Sequence, residues 1–227
     1  MDDFTPANEL KKRFQVIGHF YDILARKERF RCRSILEING GSQSELDFVV
    51  IMTNPGSSEP TDSNYRPEVI TPTQIEEGEW KRELVPAVPD QTQYQIMRLM
   101  EKIGAKKVQV FNLCDLRNGK ATSLECDYRR AFRCDPLASF SITHSSRLNV
   151  LKEKIALSVL KIPILGWGKN EFLRIYAERV LSEFPSHLGV ALKKPWFSHP
   201  GPLRKEHKLR WLSIMLNQIN QAQQGGI

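Results

Sequence analysis

Four apolar runs, each closed by a turn signal, constrain this 227-residue chain more than any other feature. They are DFVVIMTNPG (47–56), KKVQVFNLCD (106–115), LKIPILGWG (160–168) and KKPWFSHPG (193–201). Short apolar runs bounded by Gly, Pro or Asn read as buried strands. A fifth run of alternating character, RFRCRSILEI (29–38), reads as an edge strand. Between the runs, apolar residues recur at helical spacing over 91–103, 146–160, 170–184 and 205–221. Strands that alternate with helices specify a parallel sheet covered on both faces. The expected fold is therefore α/β, a three-layer sandwich around a central, mostly parallel sheet of about four to five strands. Residues 1–227 read as one domain, with 1–46 as an N-terminal extension whose edge strand packs on it. The stretches 57–90 and 116–145 lack regular pattern and are expected to be long loops.

The ends of the runs carry the unusual residues: Asn54-Pro55-Gly56, Asn112, Gly166-Trp167-Gly168 and His199-Pro200-Gly201. In an open α/β sheet, ligands sit outside the carboxyl ends of the strands. Parallel strands would bring these groups to one cleft. Each also has a plainer reading. Asn54 serves as a turn residue, Asn112 as a cap, His199 as a packed ring with one satisfied nitrogen, Leu203 as core and Trp167 as packing.

Net charge is +7 and concentrated. Residues 26–33 hold five basic residues and one acid, net +4, and residues 193–210 hold six and one, net +5. The second run follows directly on the His-Pro turn, which suits a polyanion-facing surface over a merely solvated one. The expected partner is nucleic acid, DNA rather than RNA. No stretch approaches the roughly 18 consecutive apolar residues of a membrane span. The N-terminus has no apolar signal core, so a cytoplasmic chain with its four cysteines reduced is expected.

MTNPGSS (52–58), VQVFNLC (108–114), ILGWGKN (164–170) and SHPGPLR (198–204) together resemble the motifs of the uracil-DNA glycosylase superfamily, in order. The first is closest to that superfamily's mismatch-specific branch. The same motifs are similar to those of a bacterial and phage family of unknown function, with N-P-S or N-P-G, asparagine-leucine and W-G turns. The resemblance implies cleavage of the bond between a sugar and an altered base flipped from the stack. It makes Asn54 and His199 the catalytic candidates. Asn54 would hold the attacking water, and a neutral His199 would donate to the charge developing on the base. Asn112 would read the base edge with its carboxamide. Pro55, Gly56 and Gly166 would let backbone approach the substrate, and Leu203 would fill the vacated stack. Arg204, Lys205 and Lys208 would hold phosphates.

The most active members of the superfamily this chain resembles carry an aspartate in the first motif, where it has Asn54. An amide orients water but cannot take its proton, so slow turnover is expected, with Asp62 or Asp115 as candidate substitutes and Asn54→Asp as a rate-raising change. The cysteines at 32, 114, 126 and 134 contain no close pair, so neither an iron–sulfur cluster nor a metal nor any other cofactor is expected. Cys-Asp occurs three times (114–115, 126–127, 134–135) with His144 beyond, in no familiar zinc spacing. In DYRRAFRC (127–134) aromatics interleave with arginines, a pattern that suits either base stacking or packing. A non-catalytic module that binds nucleic acid or a nucleotide is the alternative function.

Overall fold

The computed structural model describes residues 4–42, 45–201 and 204–224. In chain order the elements are α1 (Ala7–Arg13), β1 (Gln15–Ala25), β2 (Glu28–Asn39), β3 (Phe48–Met52), β4 (Glu59–Pro60), β5 (Glu68–Ile70), α2 (Pro72–Glu77), β6 (Val85–Val88), α3 (Gln91–Ile103), β7 (Lys107–Asn112), α4 (Ala121–Cys134), α5 (Ser145–Leu157), β8 (Ile164–Leu165), α6 (Arg174–Glu183) and α7 (Lys205–Gln224). The fold is α/β. Among the described residues, eight strands form one mixed open sheet in the order β4-β6-β1-β2-β7-β3-β8, with β5 beside β1.

This corrects the expected mostly parallel sheet of four to five strands. Parallel pairing holds β7, β3 and β8 together and joins short β5 to β1. The β1–β2, β1–β6, β2–β7 and β4–β6 pairs are antiparallel. The run expected at an edge, now β2, lies inside the sheet between β1 and β7. Its hairpin partner β1 left no turn signal. The tight connection uses Arg26 (φ 48) and Lys27 (φ 69) at left-handed positions that normally call for Asn or Gly. The expected fourth strand, 193–201, forms only isolated bridges, Gly168 to Phe197 and Ala191 to Phe197. Pro195 and Pro200 offer no N–H, and the segment folds back on itself through Leu192 N–H to the Trp196 carbonyl and Ser198 N–H to the Val190 carbonyl.

Strand alternation sends side chains into two cores. Phe48, Val50, Met52, Val108 and Val110 pack with α1, α3 and α7, while Val49, Ile51 and Phe111 pack with α2, α4, α5 and α6. Helix α3 runs over the residues the periodicity predicts, set by an Asp90 cap that accepts from Thr92 and Gln93 N–H and by Gly104 at its end. The supposed loop 116–145 contains α4. There Tyr128 is buried against Tyr176, their hydroxyls 2.9 Å apart, and Arg129 and Arg130 pair with Glu125 and Glu28. Packing takes up Tyr128, while Phe132 and Arg133 stay exposed on the helix.

A bulge in β2 matters most for the site. Gly18 faces Leu36, but Phe20 faces Arg33 rather than Ser34, because the register shifts between His19 and Phe20. Directly opposed residues share a face, so Arg33 joins Phe20 in the α3 layer and Ser34 turns to the other side.

On that other side His19 is buried, its Nδ1 2.6 Å from Ser34 Oγ and its ring against Tyr21 and Trp80. Burial first, then Arg147 and Arg82, pulls its pKa down to about 4. The unfolded chain protonates histidine near 6.5, so below that pH it binds the proton the folded state refuses. The stability His19 preserves is complete above about pH 6.5 and is lost as pH falls toward 4, by about 3 kcal/mol. Urea unfolding of wild type and His19→Phe at several pH values tests this. The wild type should lose stability relative to the variant on acidification; parallel curves would contradict it.

Candidate active site

A cleft of about 580 Å³ opens where β3 and β8 end. Asn54, Pro55, Gly56 and His199 line it together, with Trp167 and Gly168 from the turn after β8 and Asp90 and Gln93 from the start of α3. Four of the residues named from sequence thus converge, although His199 arrives on a folded-back segment rather than on a strand. Gly166 does not line the cleft. Its place is structural: a Cβ there would lie 2.8 Å from Pro200 Cδ, so only glycine lets the His199 segment close onto the end of β8. Thr53 Oγ1 donates to the Trp167 carbonyl and Gly168 N–H to the Phe197 carbonyl at 2.8 Å, tying the same turns together.

Backbone contacts decide which polar atom each side chain offers. Asn54 Nδ2 donates to the Asn118 carbonyl (2.8 Å) and the Leu116 carbonyl (3.3 Å), which leaves Oδ1 as the atom to offer. The Gly201 N–H donates to His199 Nδ1 (3.2 Å), so the ring proton sits on Nε2. Burial lowers the His199 pKa, partly opposed by Asp90, and holds the ring neutral at pH 7. Gln93 Oε1 accepts the Asp90 N–H (2.8 Å), leaving Nε2 as a donor. Asp90 Oδ1 takes the α3 N–H groups, while Oδ2 lies 2.8 Å from where a Cβ on Gly56 would stand. Gly56 has φ +65, so the sharp turn and the close carboxylate both require glycine.

Arg33, Asp90 and Gln93 were not singled out from the sequence. Arg33 is fully buried and lines the cleft, and none of its guanidinium nitrogens has a hydrogen-bond partner among the described residues. Burial pulls its pKa down to about 10, so it stays charged at neutral pH. Gln93 Nε2 is likewise buried and unpartnered. Such groups cost about 1–3 kcal/mol each, more when charged, which marks the cleft floor as built for something other than stability. The sequence signal was present only as the basic run 26–33, read as an outward patch. In the fold, Arg29 pairs with Asp22 at 2.6 Å, Arg31 is exposed and Arg33 is buried.

Asn112 ends β7 as expected and is fully buried, one ladder position behind the cleft lining, to which its Cα partner Met52 belongs. Neither carboxamide atom has a partner among the described residues. The candidate bases drawn from sequence fail. Asp115 is buried and bonded to Tyr21 and Arg147, and Asp62 lines a separate groove with Arg29, Arg31 and Arg66. Leu203 lies outside the described residues. Arg204, Lys205 and Lys208 open α7 beyond the cleft lining. Arg204 is exposed 3.6 Å from Glu206, the Lys205 ammonium lies over the Phe4 ring, and Lys208 is half-buried with its carbonyl bonded to Gln95. Among the described residues, no helix is long and apolar enough to cross a membrane.

Comparison with protein-family models, with curated proteins and with solved structures found no match in any of the three.

Proposed function

We propose that this chain is a uracil-DNA glycosylase-like hydrolase, cleaving the N-glycosidic bond of an altered base in DNA. The observation that carries the reading is the convergence of Asn54 Oδ1 and the His199 Nε2–H on one cleft from distant parts of the chain. An amide oxygen with its nitrogen tied back can hold a water against the sugar carbon. A neutral imidazole donor can stabilise the negative charge that grows on the departing base. Neither group takes the water's proton, so turnover is slow. The decisive experiment incubates the protein with labelled oligonucleotides containing uracil, hypoxanthine, xanthine or a mismatch, then cleaves abasic sites. Strand breaks support the reading; intact strands under every condition refute it.

One observation favours a non-catalytic nucleic-acid or nucleotide-binding module on the same fold: the amide of Asn54 stands where a base is needed. Binding without excision is its signature. Either way, affinity should fall steeply with salt, because phosphate contacts release counterions. Arg204→Glu with Lys208→Glu should weaken binding across all sequences and reduce the slope of log affinity against log salt by about 1 per lost phosphate contact. Fluorescence anisotropy at several salt concentrations checks this, and an unchanged slope would remove α7 from the interface.

A further inference from the structure

The polar atoms of the cleft form a pattern that the reaction alone does not require. On one side are donors without acceptors: the Arg33 guanidinium and Gln93 Nε2, both buried and unpartnered. Facing the same cleft is an acceptor, Asp90 Oδ2, whose sister oxygen is consumed by the α3 cap. Arg33 and Asp90 are opposite charges lining one cavity, yet they make no ion pair. A ligand that satisfies both must carry an acceptor oxygen next to an N–H. A phosphate or carboxylate meets the donors but sets its charge against Asp90. Held in the same pose as a keto base, an amino base such as cytosine or adenine places an NH₂ where Arg33 donates and an unprotonated ring nitrogen where Asp90 accepts, so both contacts become repulsive.

We propose that Arg33, Gln93 and Asp90 form a base-reading subsite that selects a ring with a carbonyl oxygen beside a ring N–H, and that this subsite sets the specificity of the cleft. Arg33 and Gln93 donate to the carbonyl, and Asp90 accepts the ring N–H. The β2 bulge is the device that makes this work, since it turns Arg33 rather than Ser34 into the α3 layer. The inference rests on the reading that the cleft receives a base, but not on catalysis.

The test separates binding from chemistry. Single-stranded dA oligonucleotides carry one central deoxyuridine or deoxycytidine, or one deoxyinosine in place of dA, each on a 2′-fluorinated sugar. The electron-withdrawing fluorine blocks glycosidic cleavage. Anisotropy should show the keto member of each pair bound about 10-fold or more tightly, the scale of one well-placed pair of contacts to a base. Arg33→Met should abolish that preference and at the same time raise the melting temperature, because it removes a buried charge that lacks a partner in the free protein. Asp90→Asn keeps a capping oxygen but puts an NH₂ in place of Oδ2, so it should narrow or invert the preference within each pair. Equal binding of keto and amino bases by the wild type would overturn the proposal. So would a lower melting temperature for Arg33→Met, which would make the arginine structural. An Asp90→Asn protein whose excision falls while its preference is unchanged would assign the carboxylate to the water instead, and would also overturn it. Keto preference together with no excision of unmodified uracil would sustain the subsite and end the hydrolase reading alone.

Discussion

His199→Ala is expected to lower excision by about 10²-fold or more, the typical loss when one donor to a developing oxyanion is removed. Among the described residues the side chain has no hydrogen bond to lose beyond the Gly201 N–H to its Nδ1, so folding should survive and the loss should appear in the chemical step. The acid limb of the pH profile checks the same atom. Protonation of Nδ1 breaks its bond to Gly201, and burial has moved that event below the usual histidine value. The acid limb should therefore lie below the range expected of an ordinary histidine. A retained rate in His199→Ala, on substrates that still bind, would remove the histidine from the mechanism. The geometry also reverses the expectation for Asn54→Asp. The Asn54 nitrogen donates to the carbonyls of Leu116 and Asn118. An aspartate would set an oxygen against both, losing the two bonds and about 1–3 kcal/mol of stability. Acceleration is not expected, and a faster Asn54→Asp enzyme would show that the loop can turn away to release the carboxylate.

Arg147→Ala should destabilise the protein by about 3–5 kcal/mol, because it strands a buried carboxylate. Asp115 is fully buried, with Arg147 paired to it and Tyr21 Oη donating at 2.6 Å; Arg147 also donates to the Ser34 carbonyl at 3.2 Å. These bonds pin the chain after β7 to the β1–β2 hairpin and to α5. Urea denaturation gives the number. A loss below 1 kcal/mol would mean that Asp115 is taken up neutral, with Tyr21 and water serving it equally well. The same network explains why Asp115, only three residues past Asn112, offers nothing to the cleft: its lone pairs are already committed to Tyr21 and Arg147.

Local pattern determined a good deal by itself. Helix α3 was legible to the residue because its capping aspartate, apolar spacing and terminal glycine all lie within one short window. Strands β3, β7 and β8 were legible because buried parallel strands are written as continuous apolar runs, and the shared direction of β3 and β8 was enough to bring the Asn54-Pro55-Gly56 turn and the Trp167-Gly168 turn to one edge. The N-terminal half of the sheet was not legible. Its hairpin turns on Arg26 and Lys27, whose left-handed backbone is held by eleven pairings along β1 and β2 rather than by local preference. The depth of Asn112 and the facing of Arg33 were hidden for the same kind of reason. Sequence shows that an asparagine ends a strand, but depth in the sheet depends on which strands lie beside it. Alternation from Leu36 would point Ser34, not Arg33, toward α3, and a one-residue bulge reverses that choice. The sequence therefore determined which chemical groups stand at the strand ends. Only the tertiary structure, through register and through the backbone partners that use up one atom of each amphoteric side chain, decided which of them face the cleft and whether they donate or accept there.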